Sequence, residues 1–203
     1  MNVRLAPLRT ACLAATLTLP TLLAAGCSHV PLSTIYHLAT FDLASADPAA
    51  LRAAIRHPSA LAPQPGGVKV TVTVGRQGEQ AHRVHSYVLE PAEGPTELAP
   101  LAAHLRTGYD VLAYRLSDTD ARAVRQLQAD RREQARSGTA PSAFNLTVAA
   151  AACHRGALPA GAILSSTYLK LDAVGGYLTV VEDIDLRREL GDAALAREVP
   201  PCG

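Results

Sequence analysis

Four valines at every second position constrain the fold more strongly than any other feature of the sequence. They are Val68, Val70, Val72 and Val74. The residues between them are a lysine and two threonines, so one side of an extended segment is apolar and the other is polar. This period of two predicts a half-buried β-strand. The glycines in segment 75–78 mark a turn, and residues 83–90 (RVHSYVLE) supply a returning strand, which predicts an antiparallel hairpin.

A second strong pattern predicts a long helix that begins after Ser117. Serine is a favourable N-cap, acidic residues follow in the first turn, and arginines gather towards the end, which suits the helix dipole. We expect the helix to run to about Arg136 and to stop before Gly138. Acidic residues are interspersed among its arginines, so we interpret the charged side as solvated surface rather than a nucleic-acid or membrane site.

The sequence also predicts a shorter helix near the start of the folded region. Asp47 followed by Pro48 has the pattern of an N-cap with proline in the first helical position. Three apolar residues then share one helical face, and Pro58 ends the pattern. These residues are Leu51, Ala54 and Ile55. The alternating segment 34–41 (TIYHLATF) predicts a strand before this helix.

Strands dominate the rest of the chain, and a last short helix follows them. The strands are expected at 109–116, 144–153, 163–172 and 177–182, and the helix at 184–190. Because hairpins are the commonest connection, the sequence predicts an α+β fold with a mainly antiparallel sheet and helices packed on one face. We expect a single domain over residues 34–203, with no internal repeat.

Residues 1–26 have the form of an export signal. Arg4 and Arg9 are the only charged residues there, and the uncharged run 10–25 follows them. A positively charged start and a short apolar stretch are typical of a secretory leader. The run contains Pro20 and is shorter than the roughly 20 apolar residues of a membrane-spanning helix, which favours a cleaved leader.

The end of the leader, 22–27 (LLAAGC), resembles the lipobox of bacterial lipoproteins, in which small residues precede a cysteine. The resemblance covers the leader alone. It implies cleavage between Gly26 and Cys27, acylation of Cys27, and a short tether, 27–33, which holds the domain on the cell envelope facing the periplasm. The same resemblance, through Ser28, favours the outer over the inner membrane. The alternative is an ordinary signal peptide, with Cys27 as an incidental thiol.

The charge of the expected mature chain argues against a nucleic-acid partner. The full chain has 19 basic and 18 acidic residues, and loss of Arg4 and Arg9 with the leader leaves a formal charge of −1. Nucleic-acid binding calls for a basic surface. The 177 residues that remain of the 203 suffice for one domain with its own core, and the lack of tryptophan predicts a core of small side chains.

Two cysteines remain as candidates for a disulfide bond. Cys12 lies in the leader and Cys27 is assigned to the lipid, which leaves Cys153 and Cys202 in an oxidising compartment. Their pairing would tie the C-terminal tail to the end of a predicted strand. The alternative is two unpaired thiols, because the sequence does not give the distance between them. The Cys-x-x-Cys spacing of redox-active pairs is absent from the sequence.

The histidines do not predict a metal site. His82 and His85 have a spacing found among metal ligands, but residues three apart on a strand point to opposite faces. The other histidines beyond the leader are scattered singly: His29, His37, His57, His104 and His154. The glycine pairs 66–67 and 175–176 lack the lysine or the spacing of a phosphate loop. We therefore expect neither a metal nor another cofactor.

Candidate catalytic residues are equally sparse. Ser165, Ser166 and Cys153 lie outside any Gly-x-Ser-x-Gly elbow, and we interpret the serines as polar positions on a half-exposed strand. An acidic run offers carboxylates for acid–base catalysis, but its position between a strand and a helix favours capping. Its members are Glu182, Asp183 and Asp185. The sequence therefore predicts no catalytic residue.

These observations favour a non-catalytic envelope lipoprotein. Its domain would serve as an interaction or assembly module near the membrane, with an edge strand binding an extended segment of another envelope protein. The expected partners are membrane lipid, through an acylated Cys27, and that envelope protein. The alternative is an envelope hydrolase whose site is assembled from residues distant in sequence. Its base would be one of four histidines: His37, His82, His85 or His104.

Overall fold

The computed structural model describes residues 46–75, 83–138, 143–171 and 176–203 of the chain. Several features predicted from the sequence lie outside these ranges. They are the leader 1–26, the acylated Cys27, the tether 27–33, the strand 34–41, and His82.

In the described residues, the chain forms eight strands, four α-helices and one 3-10 helix, η1. The strands are β1 (Arg52–Pro58), β2 (Leu61–Gly75), β3 (Arg83–Val88), β4 (Glu90–Pro91), β5 (Tyr109–Arg115), β6 (Ala143–His154), β7 (Leu164–Lys170) and β8 (Tyr177–Asp185). The helices are α1 (Pro95–Leu98), η1 (Ala99–His104), α2 (Asp118–Arg136), α3 (Leu186–Leu190) and α4 (Asp192–Glu198).

The strands form two sheets. The large sheet has the order β4-β5-β1-β7-β8, and the small sheet has the order β3-β2-β6. Each of these strand pairings is antiparallel. The predicted α+β class with antiparallel pairing is therefore confirmed, and its strands are divided between two sheets.

The valine-rich hairpin predicted from the sequence is β2 paired with β3 in the small sheet. Val68, Val70 and Val72 are at most 2 % exposed, so the alternating valines point into the protein as expected. β2 begins earlier than predicted, at Leu61, and a bulge interrupts its pairing with β6 between Pro63 and Val68.

The prediction of a short helix after Asp47 is wrong. Asp47 and Pro48 begin a single turn, in which the Ala50 N–H donates to the Asp47 carbonyl at 3.1 Å, and the chain then becomes β1. β5 and β7 pair with the two edges of β1, and Ala53 and Ala54, on its opposite faces, are both 0 % exposed, so the faces of this strand are covered as well. A strand buried on both faces loses its period of two and resembles a helix segment in sequence.

The main core lies between the two sheets. The long helix α2 packs against it through Ala121 and Val124. The other buried residues of this cluster are Leu51, Ala53, Ile55, Val68, Val70, Leu89, Tyr114, Leu116, Leu169 and Leu171. Their removal from water is the chief force that holds the sheets together.

Helix α2 confirms the long helix predicted after Ser117. The Ser117 hydroxyl accepts a hydrogen bond from the Asp120 N–H at 3.0 Å and caps the first turn. The helix ends at Arg136, and Gly138 follows with a φ of 74°. Within the described ranges, no helix is long and apolar enough to cross a membrane.

Helical segments also cover the other face of the large sheet and its end. Leu101 of η1 packs with Ala54 and Tyr168 on the face opposite the main core. Helix α4, which was not predicted, contributes Leu195 to a cluster with Leu61. The large sheet is thus buried on both faces.

A disulfide bond joins Cys153, at the end of β6, to Cys202 near the C-terminus, with the two Cα atoms 5.0 Å apart. Two backbone hydrogen bonds support it, from His154 N–H to the Pro200 carbonyl and from Cys202 N–H to the His154 carbonyl. The pairing predicted from the sequence is present in the structure, and it fastens the C-terminal tail to the small sheet.

Candidate functional sites

A buried arginine contacts residues that lie more than 100 positions away in the sequence. β1 places Arg56 directly opposite Ser166 of β7. Arg56 Nη2 donates to Ser166 Oγ at 2.9 Å and to Asp183 Oδ1 at 2.8 Å. Arg56 is 8 % exposed and Ser166 is 0 % exposed, so the charge of this arginine lies almost entirely out of water. We name this set, with its neighbours His104, Arg106 and Tyr168, the polar cluster.

Asp183 reaches the polar cluster through an irregularity in β8. The pairing of β7 with β8 shifts register on both sides of Thr167, so β8 bulges opposite Ser166. Asp183 adopts a φ of 47°, a left-handed conformation that costs free energy in a residue with a Cβ. Its N–H donates to Ser166 Oγ at 2.9 Å, and Arg106 lies 3.6 Å from its second carboxylate oxygen. Two guanidinium groups thus face one carboxylate.

His104 and Tyr168 form the aromatic side of the polar cluster. Their ring centroids are 4.1 Å apart. Burial lowers the pKa of His104, and the nearby charge of Arg56 lowers it further. Burial raises the pKa of Tyr168, so its hydroxyl stays protonated well above neutral pH. The ion pairs of the cluster join its two arginines to Asp183.

The hydrogen bonding of Ser166 does not suit a nucleophile. Its Oγ accepts bonds from Arg56 and from the Asp183 N–H, and it faces Asp183 Oδ1 at 3.5 Å. An activated serine instead needs a base that withdraws its proton. In the part of the chain that the structure describes, the imidazoles of His57 and His154 bond to backbone carbonyls, and no histidine bonds to a serine, cysteine or carboxylate. The cluster is built to hold an ion pair.

The acidic run on β8 divides into two roles. Asp185 is the N-cap of α3, since its Oδ1 accepts from the Arg187 N–H at 3.1 Å, and it also accepts from the Ile163 N–H at 3.0 Å. The Ile163 N–H, followed by the N–H groups of the helix start, lowers the pKa of Asp185. Capping is therefore right for Asp185, whereas Asp183 belongs to the polar cluster.

A different kind of site lies along β3, at an edge of the small sheet. β2 is the only strand paired with β3 in the described ranges. The Leu89 N–H donates to the Val68 carbonyl, and hydrogen-bonded and non-bonded pairs alternate along an antiparallel ladder. The backbone groups of Val84, Ser86 and Val88 therefore point away from β2, towards the outer edge.

The side chains of β3 leave this edge accessible. Val84 is 64 % exposed and Val88 is 46 % exposed, on the outer face of the small sheet. Ser86 lies between them, opposite Thr71, with the two hydroxyl oxygens 3.5 Å apart. Natural edge strands are commonly shielded by lysine, proline or a covering loop. β3 between Val84 and Val88 carries neither lysine nor proline.

The spacing of His85 to His82 is not tested by the structure, because His82 lies outside the described residues. His85 lies on β3 with its ring towards α2, near Asp130 and Leu127. Among the residues that the structure describes, no three histidine, cysteine or acidic side chains converge as metal ligands.

Comparison with protein families, with curated proteins and with solved structures finds no match for this chain.

Proposed function

We propose that this chain is a lipid-anchored protein of the bacterial cell envelope whose domain binds an extended segment of another envelope protein along β3. The observation that carries the proposal is the outer edge of β3, which among the described strands pairs with β2 alone and where two exposed valines flank outward-facing backbone groups. The domain acts as a non-catalytic interaction module. The only bound group that the proposal requires is the lipid on Cys27.

Strand addition suits both the backbone and the side chains of β3. An incoming strand would pair with the backbone groups of Val84, Ser86 and Val88, and each net hydrogen bond contributes about 1 kcal/mol. Val84 and Val88 lie four positions apart on one face, so they would contact alternate side chains of the partner segment. The partner is therefore expected to present two apolar residues four positions apart, with the residue between them on that face opposite Ser86.

The proposed location in the cell envelope rests on the leader. Arg4, Arg9 and the apolar run 10–25 precede the lipobox-like segment that ends at Cys27. A tether over 27–33 spans at most about 25 Å when extended, so a lipid on Cys27 would keep the domain close to the membrane. Acyl chains contribute about 0.8 kcal/mol for each buried CH₂ group, enough for a durable anchor when two or three are attached. The lipid concentrates β3 where other anchored proteins lie.

The anchor is tested by intact mass spectrometry on membrane fractions from cells that make the native protein or the Cys27→Ser variant. We expect a mature chain that begins at Cys27 and carries acyl mass, and a Cys27→Ser variant that carries no acyl mass and keeps residues 1–26. An unmodified native chain in the soluble fraction would contradict the anchor.

The interface is tested by photo-cross-linking in cells, with a photoreactive residue in place of Val84. We compare Ser86→Pro, which removes one outward N–H, with Ser86→Ala, which keeps it. Neither change disturbs the backbone hydrogen bonds between β2 and β3, because the backbone groups of Ser86 point away from β2, and both variants lose the Ser86 hydroxyl that faces Thr71. We expect one adduct that Ser86→Pro abolishes and Ser86→Ala preserves. An adduct that survives Ser86→Pro, or forms equally from a probe at Thr147 of β6, would rule out strand addition.

A further inference from the structure

A cleft between the two sheets has its own lining, which includes no residue of β3. It has a volume of about 270 Å³ and is bordered by β2 and β6 on one side and by β1, β7 and β8 on the other. Apolar side chains dominate its walls: Ile55, Leu61, Val148, Ala150, Val181 and Ile184. Of the described residues that line it, none carries an acidic or basic group apart from His57. A cleft of this kind excludes ions and accepts an apolar molecule.

His57 is the one titratable residue among the described residues that line the cleft. The residue is 5 % exposed, and its Nδ1 lies 3.0 Å from the Pro58 carbonyl oxygen. A carbonyl oxygen only accepts hydrogen bonds, so Nδ1 carries a proton, and in the ring that carries one proton Nε2 has a bare lone pair. Within the described structure, Nε2 is buried without a hydrogen-bond partner. It needs a donor.

The neighbouring wall does not provide that donor. The Ser165 hydroxyl, also in the lining, donates to the Arg56 carbonyl at 3.2 Å. A buried acceptor left unpaired costs about 1–3 kcal/mol, so a ligand that brings a donor to Nε2 gains more than apolar contact alone. The donor must be uncharged, because no carboxylate lines the cleft to balance a cation.

We infer that this cleft binds an aliphatic molecule that carries a hydroxyl group, with the chain against the apolar walls and the hydroxyl donating to His57 Nε2. Size supports this occupant, since an engineered apolar cavity of roughly 150 Å³ already holds benzene and this cleft is larger. Ala150 is exposed at the mouth, which gives the ligand an entry route. The site shares no residue with the outer edge of β3, so either proposal stands without the other.

The first test compares two ligands that differ in the donor alone. 1-Octanol and its methyl ether have the same chain, but only the alcohol donates a hydrogen bond. Calorimetric titration uses the Cys27→Ser protein without the leader 1–26, so that neither acyl chains nor the apolar run 10–25 requires detergent. We expect the alcohol to bind roughly tenfold more tightly than the ether. Equal affinities would overturn the role of His57, and absence of binding by both would overturn the site.

The second test places the ligand in the cleft. Ala150 faces the cleft opposite Val68, whereas Ala149 lies opposite Lys69 on the outer face of the same strand. Ala150→Phe should fill the cleft and abolish binding, and Ala149→Phe should leave it unchanged. His57→Leu should keep apolar binding but bring the alcohol-to-ether ratio close to one. Binding that withstands Ala150→Phe, with both variants folded by circular dichroism, would overturn the proposal.

Discussion

Arg56 of β1 and Asp183 of β8 form an ion pair across the intervening strand β7, with Nη2 and Oδ1 2.8 Å apart. The two residues are separated by 127 positions in sequence. The pair is asymmetric. The Arg56 side chain is 10 % exposed, whereas the Asp183 side chain is 40 % exposed. The backbone of Asp183 adopts a left-handed conformation. The bulge in β8 thus carries a carboxylate inwards to a guanidinium that has little access to water.

Removal of this carboxylate should destabilise the fold. We expect Asp183→Ala to lower the free energy of unfolding by about 2 kcal/mol, because Arg56 then keeps a buried charge without its acceptor. Urea denaturation followed by circular dichroism measures the change. Two variants serve as controls. Asp183→Asn keeps an oxygen acceptor and tolerates a positive φ, so its loss should be clearly smaller.

The second control, Glu133→Ala, removes an exposed ion pair with Arg136 on α2, whose side chains are 69 % and 71 % exposed. Such a pair contributes about 0.5 kcal/mol or less. If Asp183→Ala and Glu133→Ala cost the same, the inward ion pair does not stabilise the protein.

Local patterns were sufficient to predict some elements of the fold. The valines of β2 alternate because one face of that strand meets the core and the other meets solvent. The N-cap at Ser117 and the glycine after Arg136 fix the limits of α2 within a few residues of chain. In each of these cases, neighbouring residues carry the whole signal.

The polar cluster could not be predicted in this way. The segment around Arg56 was mistaken for a helix, because β1 is buried on both faces and has no solvent-facing stripe. Even with β1 recognised, the contact with Asp183 depends on the register of three strands and on a bulge, which the sequence does not encode locally. A charged residue within an apolar segment was the one available signal, since a buried arginine needs a partner.

Loss of the disulfide bond should cost more than any of these side-chain changes. The bond closes a loop with a sequence separation of 49. Chain entropy alone then predicts a loss of about 4 kcal/mol for the Cys153→Ala/Cys202→Ala variant. Urea denaturation of the variant should coincide with that of the native protein in reductant. A native protein insensitive to reductant would contradict the predicted contribution.

Helix α2 should depend on its cap. In Ser117→Ala, the Asp120 N–H loses its acceptor, and we expect the free energy of unfolding to fall by about 1 kcal/mol. Thr119 lies two residues after Ser117, in the first turn of α2, and is exposed. The Thr119→Ala variant tests whether the loss of any hydroxyl in this turn has the same effect. A loss for Thr119→Ala as large as that for Ser117→Ala would argue against capping.

The polar cluster should make stability depend on pH through His104. Burial, and then the charge of Arg56, lower the pKa of His104 in the folded protein. In the unfolded chain the imidazole has an ordinary pKa of about 6.5, so on acidification the unfolded state takes up its proton first. The free energy of unfolding should therefore fall as the pH decreases below about 6.5, and this contribution is complete once the pH lies below the lowered pKa.

The measurement compares unfolding at about pH 7.5 and about pH 5.5 in the native protein and in His104→Phe, which keeps an aromatic ring against Tyr168. We expect the variant to lose less stability than the native protein between these two values. Glu97→Gln is the control. The hydrogen bond from Arg52 lowers the pKa of Glu97, so the contribution of Glu97 to the free energy of unfolding is lost only when the pH drops below about 4.5. That variant should retain the native difference. If His104→Phe also retains it, another group in the protein causes the loss, and the imidazole is not held in its neutral form by the cluster.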